Sequence, residues 1–200
     1  MSKIQNPLVA HLSNYKIILA SNSPRRKELL AQLGLEFTVR TLADVDESFP
    51  EGLTNEATAC YIAKKKAEAH AAKMAEDELI ITADTIVCSE GKVLGKPVDE
   101  ADAKLMLQQL AGRTHQVVTG VAIVTKAMQM DFAVTSDVTF APLTDQEIDY
   151  YVAHYRPMDK AGAYGIQEWI GLVAVEELRG SFFNVMGLPV QRLYSILKDI

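Results

Sequence analysis

The chain has 200 residues, of which 48% are hydrophobic and 23% are charged. These values are typical of a globular domain and exclude a disordered chain, a collagen and a coiled coil. Its 20 basic and 26 acidic residues give a net charge of −6. This acidic balance argues against a protein that coats duplex nucleic acid, because such proteins gather lysine and arginine against many phosphates. A single phosphate-bearing ligand needs only a local group of cations and stays compatible with the composition.

The N-terminal residues and the cysteines indicate a compartment. Residues 1–14 lack the apolar core of a signal peptide, and no apolar stretch reaches the roughly 18 residues of a transmembrane helix. Cys60 and Cys88 lie outside any CxxC or Cys/His cluster, which favours reduced thiols over a disulfide scaffold or a structural zinc site. We therefore predict a single cytoplasmic domain over residues 1–200, with 1–14 as a lead-in and no membrane partner.

Short apolar runs alternate with helical patterns in the first half of the chain. The clearest helix start is Ser23 followed by Pro24, an N-cap and a proline at the first helical position. The predicted elements are, in order, a strand over 15–20, a helix from Pro24 that stops at Gly34, a strand over 35–40, an acidic loop over 44–47, a helix from Thr54 to about 75, a strand over 79–83 that ends at Asp84 and Thr85 or continues through 86–88, and a turn at Gly91.

The second half contains two long alternating segments that predict an antiparallel hairpin. The predicted elements are a helix from Asp99 to 110, strands over 114–125 and 128–140 with the turn at 126–127, a helix over 144–155 opened by a Thr144/Glu147 capping box, an irregular Gly- and Ala-rich segment over 159–169, a strand over 172–177 and a helix over 189–198. Strands that alternate with helices around a hairpin predict an α/β fold with a mixed, partly antiparallel sheet flanked by helices.

The segment SNSPRR places Arg25 and Arg26 in the first turn of a predicted helix. A helix N-terminus carries partial positive charge, so each arginine costs about 0.3–1 kcal/mol there unless an anion lies nearby. Free N–H groups, the Ser21 hydroxyl and two guanidinium groups together can bind a polyphosphate. The alternative is that both arginines point into solvent. The chain has no Walker A motif.

Asp84 and Thr85 follow the predicted buried strand 79–83, a position where ligand sites of α/β sheets are common. An ionised carboxylate there can hold a hard cation or orient a water molecule. The alternative is an aspartate that caps a turn.

Other candidates are more dispersed. Glu47 and Lys66 could equally belong to solvated faces, whereas Gly95 and Pro97 restrict the backbone around Lys96. The small residues of DKAGAYGIQ let the backbone approach a ligand, and the Gln167 amide can contact a base edge. A tight loop packed beneath the sheet is the alternative for that segment.

These segments, taken together, resemble the Maf family of nucleoside triphosphate pyrophosphatases. The matching segments are ASNSPRRKELL, VDE, AKKKA, ADTIV, GKP, DKAGAYGIQ and GLP, in that order from about residue 15 to the C-terminus. The resemblance implies two lobes around a central cleft, an ITPase-like α/β fold, and hydrolysis of the α–β phosphoanhydride with Mg²⁺ or Mn²⁺. Members often dimerise, so a homodimer is a candidate assembly.

The resemblance also implies residue roles. Asp84 matches the catalytic proton acceptor, and Asp84 with Glu47 would hold the metal; a one-residue shift of the acidic loop would put Asp46 in place of Glu47. The implied substrate-binding residues are Ser21, Arg26, Lys66 and Lys96. The positions associated with substrate choice are Arg25, Thr85 and Gln167, and all three match members that act on dTTP and UTP. Glu168 and Trp169 depart from the family pattern, in which glycine is common after the glutamine.

Three alternatives to a dTTP/UTP pyrophosphatase follow from the same residues. One is a pyrophosphatase for 7-methyl-GTP or another modified nucleotide. Another is a non-catalytic, nucleotide-binding regulator of septum formation, which has less need for Asp84. A nucleic-acid-binding module is disfavoured by the net charge and by the lack of a platform of aromatic and basic residues.

Overall fold

The structure, a computed structural model, describes residues 6–42 and 45–200. The helices are α1 Pro7–His11, α2 Pro24–Gln32, α3 Asn55–Ala71, α4 Glu100–Leu110, α5 Asp145–Tyr155, α6 Trp169–Ala174, α7 Phe182–Met186 and α8 Val190–Leu197. The strands are β1 Lys16–Leu19, β2 Thr38–Val39, β3 Glu78–Ser89, β4 Lys92–Leu94, β5 Thr114–Val124, β6 Gln129–Phe140 and β7 Val175–Arg179. They form one sheet in the order β2-β1-β3-β5-β6-β7, with β4 paired to β3. The predicted α/β class with a mixed, partly antiparallel sheet is confirmed.

The chain divides into two compact units. The first unit consists of residues 1–84, 120–133 and 187–200, within the described parts of the chain. Its central strand, β1, pairs in parallel with both β2 and β3. Apolar runs without alternation suit such a strand, because both faces of a parallel sheet are covered. The core between the sheet and α3 includes Ile18, Ala63, Ala67, Ile80 and Ala122.

The second unit consists of residues 85–119 and 134–186. Two of its strand pairs are antiparallel, with Val87 opposite Leu94 in β3–β4 and Val138 opposite Leu178 in β6–β7. Helices α4 and α5 pack against each other. The domain boundary, one domain over residues 1–200, stays a prediction, as does the cleft that the resemblance implies.

The helix starts predicted from capping residues are confirmed. Ser23, Thr54, Asp99 and Thr144 each accept a hydrogen bond from a backbone N–H in the first turn of their helix, and Thr144 forms the capping box with Glu147. These predictions succeed because a cap is a contact between residues three apart.

The strand predicted over 79–83 extends through Ser89. The predicted end at Asp84 and Thr85 is therefore wrong, and the predicted continuation through 86–88 is confirmed. Parallel pairing with β1 stops at Leu19↔Ile81, and antiparallel pairing with β4 begins at Val87. Asp84 therefore lies within β3, three residues beyond the last residue paired with β1. The strand continues because a new partner, β4, satisfies its backbone groups.

Three other segments differ from the predictions. The lead-in contains α1, capped by Asn6 and anchored by the fully buried Leu8, while residues 1–5 lie outside the described chain. The strand predicted over 35–40 shortens to β2. The strand predicted over 172–177 begins only at Val175, because Ile170 and Ala174, four residues apart, bury one face of α6. The acidic loop was predicted to start at Asp44, which also lies outside the described residues.

None of the helices in the described part of the chain has the length and apolar character needed to cross a bilayer.

Gly120 allows α3 to approach β5 closely. A Cβ atom at this position would lie 2.3 Å from the backbone carbon and oxygen of Ala59. We expect Gly120→Ala to lower the free energy of unfolding by about 1–3 kcal/mol, because backbone cannot yield as a flexible side chain does. Urea denaturation measures the change. Gly95→Ala is the matched control, since no atom lies within 4 Å of its Cβ position, and equal losses in the two variants would contradict the expectation.

Candidate active site

The N-terminus of α2 holds Arg26 in a defined position. Ser23 caps the helix by accepting from the Arg26 backbone N–H at 3.4 Å. The Arg26 side chain donates from Nε to the Gly187 carbonyl at 2.8 Å and from Nη1 to Ser21 Oγ at 3.4 Å. Ser21 Oγ also accepts from the backbone N–H of Ser23 at 3.2 Å. These contacts direct the Arg26 guanidinium toward the end of β1 and away from bulk solvent.

Lys66 joins two carboxylates that are far apart in the sequence. Its Nζ lies 2.6 Å from Asp84 Oδ1 and 2.8 Å from Glu47 Oε1. The side chains of Lys66 and Asp84 are only 15% and 13% exposed, whereas that of Glu47 is 51% exposed. One ammonium group therefore bridges a nearly buried carboxylate on β3 and a half-exposed one on the acidic loop.

The electrostatics of Arg26 connect the arginines with these carboxylates. Burial lowers the pKa of Arg26, and the charge of Arg25 lowers it further, whereas Asp84 and Glu47 raise it. Two arginines in the first turn of a helix need an anion nearby, and these carboxylates supply it. Arg26 and Lys66 therefore both interact with Asp84 and Glu47, and Arg25 lies next to Arg26 in the first turn of α2. We name these five residues, with Ser21, the charged cluster.

Adjacent residues of the acidic loop contact adjacent lysines. Asp46 accepts from Lys65 Nζ at 2.8 Å and from Ser48 Oγ at 2.7 Å. The hydrogen bond from Lys65 is the largest of several contacts that lower the pKa of Asp46. Glu47 contacts Lys66 instead. Of the two acidic residues that the sequence left open, Glu47 is therefore the one that shares a cation with Asp84.

In the second unit, the GKP and DKAGAYGIQ segments meet through their backbones. The Gly162 N–H donates to the Gly95 carbonyl at 3.0 Å. Gly162 has φ +65°, and a Cβ there would lie 3.0 Å from the side chain of Val87, so both the conformation and the space favour glycine. Lys96 is exposed on the loop after β4, and Gln167 is exposed at the end of the second segment.

A buried ion pair holds the segment that ends in Gln167. Lys160 Nζ, on a side chain only 8% exposed, lies 2.8 Å from Asp159 Oδ1 and 3.1 Å from Glu168 Oε1. Tyr151 Oη donates to the Glu168 carboxylate and accepts from the Gly165 N–H at 3.0 Å. Burial, followed by the Glu168 carboxylate, raises the pKa of Tyr151. The loop that carries Gln167 is thus held by contacts before and after this residue.

A second buried contact fixes the same segment. His115 Nε2 lies 2.8 Å from Tyr164 Oη, and both rings pack edge-on against Phe140. Burial lowers the pKa of His115 to about 4, so the imidazole is neutral at physiological pH. Its role is to anchor the loop.

Thr85 lies half-buried on β3 and contacts β5. Its Oγ1 is 2.9 Å from Thr119 Oγ1, and Thr119 donates to the Asn184 carbonyl at 3.0 Å. Thr119 and Asn184 are fully buried.

The predicted site residues therefore fall into two groups. Those in the first unit form the charged cluster: Ser21, Arg25, Arg26, Glu47, Lys66 and Asp84. Those in the second unit are Lys96 and Gln167, on two hydrogen-bonded segments, and Thr85 on β3.

Comparison with known proteins identifies the family of the chain. A family model described as "Maf-like protein" matches residues 16–200. The chain belongs to the Maf family. The family resemblance predicted from the motifs is thereby confirmed.

Curated relatives of this Maf chain extend over nearly its full length. A protein of Bacteroides fragilis (strain YCH46) and one of Phocaeicola vulgatus are each 56% identical over 193 residues, which is 96% of this chain and 100% of the relative. A protein of Flavobacterium psychrophilum is 46% identical over 184 residues, 92% of this chain and 94% of the relative. All three are named dTTP/UTP pyrophosphatase.

A solved nucleoside-triphosphatase / dITP/XTP pyrophosphatase from Mycobacterium abscessus is a more distant neighbour of the Maf chain. It is 17% identical, with 90% of this chain and 93% of that chain covered and a TM-score of 0.41.

Sequence reasoning missed the residues that support the second group in this Maf chain. Tyr151 is one of several aromatic residues on α5, and Asn184 lies in a short apolar helix that was not predicted. The one available signal was the lysine of DKAGAYGIQ, which is unusual in a segment of small residues. His115 and Thr119 lie within the strand sequence THQVVTGVAIV of β5, which gives no hint of their contacts.

The donor set of the charged cluster fits a hard divalent cation that also binds substrate. No group of three or more His, Cys, Asp or Glu side chains suited to a metal occurs within residues 6–42 and 45–200. Glu47 and Asp84 provide two carboxylates, and Mg²⁺ commonly binds one or two carboxylates together with water and phosphate oxygens. Glu47 and Asp84 are therefore the two side chains of the charged cluster that would hold such a cation.

Proposed function

We propose that this chain is a nucleoside triphosphate pyrophosphatase that hydrolyses dTTP and UTP to the monophosphate and pyrophosphate. The observation that carries the proposal is Lys66 bridging Glu47 and Asp84 beside Arg26. This arrangement combines cations for a polyphosphate with carboxylates for a metal and a water molecule. Relatives that are 53–56% identical and named dTTP/UTP pyrophosphatase support the substrate.

The cations of the charged cluster would bind the triphosphate. A triphosphate carries several negative charges, and more charge develops on pyrophosphate as it leaves. Arg25, Arg26 and Lys66 would stabilise that charge. Ser21 Oγ accepts two hydrogen bonds, so its own hydrogen is available to donate to a phosphate oxygen.

Asp84 would act on the attacking water. Lys66 contacts Oδ1, and we place the water at Oδ2, where the carboxylate orients it or accepts its proton as it attacks the α-phosphorus. The bond from that phosphorus to the bridging oxygen then breaks, and pyrophosphate leaves. Bound Mg²⁺ or Mn²⁺, held by Asp84 and Glu47, would neutralise phosphate charge and lower the pKa of bound water.

The second group of residues would choose the substrate. Thr85 and Gln167 carry a hydroxyl and an amide, which can form hydrogen bonds with the edge of a base. Arg25 would contribute to the same choice of nucleotide. Lys96 adds a cation for the phosphates. Because Thr85 follows Asp84 directly on β3, base choice and water activation would depend on consecutive residues.

The chain would act in the cytoplasm as a homodimer that clears nucleotides from the cellular pool. Reduced thiols at Cys60 and Cys88 agree with that compartment.

A panel of triphosphates tests the proposal. The purified chain is incubated with dTTP, UTP, CTP, GTP, ATP and 7-methyl-GTP, with and without Mg²⁺, and both products are quantified. We expect equimolar monophosphate and pyrophosphate from dTTP and UTP, and loss of both products when EDTA removes the metal. Faster hydrolysis of 7-methyl-GTP would favour the modified-nucleotide alternative. Tight nucleotide binding without metal-dependent hydrolysis would favour the regulator.

A further inference from the structure

Lys66 is held by the same two carboxylates that would hold the divalent cation. Its Nζ lies 2.6 Å from Asp84 Oδ1 and 2.8 Å from Glu47 Oε1, and its side chain is only 15% exposed. A lysine ammonium has three hydrogens to donate, and two of them can serve these oxygens. The ammonium therefore neutralises negative charge at the place where the metal would do so.

The neighbouring lysines of α3 pair with other carboxylates. Lys64 Nζ lies 3.0 Å from Asp131 Oδ1, and Lys65 Nζ lies 2.8 Å from Asp46 Oδ2. Positive charge is thus common to three consecutive residues of this helix, whereas Lys66 is the one among them that contacts both candidate metal ligands. The adjacent lysine is consequently a matched control for its charge.

Arg26, the other cation close to these carboxylates, is anchored by different groups. Its Nε donates to the Gly187 carbonyl at 2.8 Å, and its Nη1 donates to Ser21 Oγ at 3.4 Å. The ammonium of Lys66 instead contacts the candidate metal ligands themselves, and it is carried by a flexible four-carbon stem. Lys66 can therefore turn from the carboxylates to another anion, whereas Arg26 is held by a backbone carbonyl and a hydroxyl.

Repulsion opposes the presence of the ammonium and a metal ion on the same oxygens. A Mg²⁺ ion bound to Asp84 Oδ1 at about 2.1 Å would lie within about 5 Å of the Lys66 ammonium as it stands. Charges of +2 and +1 repel each other at that separation, and more strongly in a partly buried site than in bulk water. We propose, resting on the proposed function, that Lys66 holds the place of the divalent cation between Glu47 and Asp84, so that the ammonium and the metal compete for these carboxylates.

Competition of this kind couples the metal to the substrate. A triphosphate offers the Lys66 ammonium new anionic partners, and an ammonium drawn to the phosphates leaves Glu47 and Asp84 to the metal. Because coupling between two ligands is reciprocal, binding of the metal in turn directs Lys66 to the phosphates. The ion pairs of Lys66 thus keep the affinity for the metal low until a polyphosphate is bound.

Substitution of Lys66 tests the competition without any substrate. Mn²⁺ is the probe, and its affinity for the full chain is measured without nucleotide from the electron paramagnetic resonance signal of free Mn²⁺. We expect Lys66→Met to bind Mn²⁺ about tenfold or more tightly than the original chain, because a cation 2.6 Å from Asp84 Oδ1 is removed. Unchanged or weaker binding of Mn²⁺ by this variant overturns the proposal.

Three further variants show whether the gain comes from the two carboxylates. Lys65→Met removes the same charge from the adjacent residue and should leave the affinity for Mn²⁺ within about threefold of the original. Lys66→Arg keeps a cation at this position and should bind Mn²⁺ less tightly than Lys66→Met. Asp84→Asn, introduced into Lys66→Met, should abolish the gain. An equal gain in Lys65→Met, or a gain that survives the loss of the Asp84 carboxylate, contradicts the competition.

Melting temperatures provide a second measurement, which also applies if Lys66→Met is less stable than the original chain. A bound metal stabilises the folded state, so Mn²⁺ should raise the melting temperature of Lys66→Met by more than that of the original chain, and an equal or smaller rise counts against the competition. If Lys66→Met does not fold, Lys66→Gln takes its place with the same expectations.

The outcome of these measurements is separate from the proposed activity, because none of them involves hydrolysis. Tighter Mn²⁺ binding by Lys66→Met, in a chain that hydrolyses no triphosphate, would support the competition and overturn only the proposed activity. Hydrolysis of dTTP together with unchanged Mn²⁺ binding by Lys66→Met would support the activity and overturn the competition.

Discussion

Asp84→Asn is expected to lower kcat for dTTP hydrolysis by about 10²- to 10⁴-fold, the usual contribution of a positioned general base. The amide keeps the size of the carboxylate and can still accept from Lys66 Nζ, now 2.6 Å from Oδ1. It cannot accept a proton from water, and it is a weaker ligand for a hard cation. Release of pyrophosphate under saturating dTTP measures the loss.

The matched control for Asp84→Asn is Asp77→Asn. Asp77 also pairs with a lysine in the first unit, with Lys16 Nζ at 2.8 Å, but its side chain is 45% exposed. Its substitution should leave kcat within about twofold, because an exposed pair contributes little. A titration with Mg²⁺ then separates the roles of Asp84, since recovery at high Mg²⁺ indicates a metal ligand and lack of recovery indicates a base. Near-normal turnover of Asp84→Asn at ordinary Mg²⁺ would contradict both roles.

Lys66→Met is expected to lower kcat/KM for dTTP by about 10²- to 10³-fold, the cost of removing one preorganised electrostatic contact. Methionine fills a similar volume but leaves Glu47 and Asp84 without the cation that bridges them at 2.8 and 2.6 Å. The charged cluster loses one positive charge, which weakens its attraction for a triphosphate. Initial rates over a range of dTTP concentrations give the change.

Lys65→Met provides the control on the adjacent residue of α3. Lys65 pairs with Asp46 of the same acidic loop at 2.8 Å, and its loss should change kcat/KM by less than about threefold. Comparable losses in both variants would show that α3 contributes only general positive charge. A melting temperature for each variant, from circular dichroism, identifies any loss that comes from unfolding.

The predictions from sequence succeeded where a short-range contact decides the structure. Ser23 and Pro24 specify the start of α2, and Thr144 with Glu147 specifies that of α5, because caps act within one turn. The prediction failed over 172–174, where β-branched and apolar residues suit a strand. Burial of Ile170 and Ala174 on one face placed those residues in a helix instead.

The candidate site shows the same division. Residue types and their order were enough to indicate a family and to select Ser21, Arg26, Lys66 and Asp84 as candidates. Their mutual contacts were beyond the sequence, because Lys66 reaches residues 18 and 19 positions away on different elements. The choice between Asp46 and Glu47 as partner of Lys66 likewise depended on the path of the acidic loop.

The net charge can be read from the sequence, whereas the positions of the charged side chains can be read only from the folded structure. The sequence establishes a net charge of −6, which disfavours a protein that coats nucleic acid. Its local patterns also place two arginines at the start of a helix. Only the folded chain brings Arg26 and Lys66 together with Asp84 and Glu47. The physical reason is that a cap is satisfied by residues three apart in the chain, whereas Lys66 contacts Asp84 and Glu47 across 18 and 19 positions.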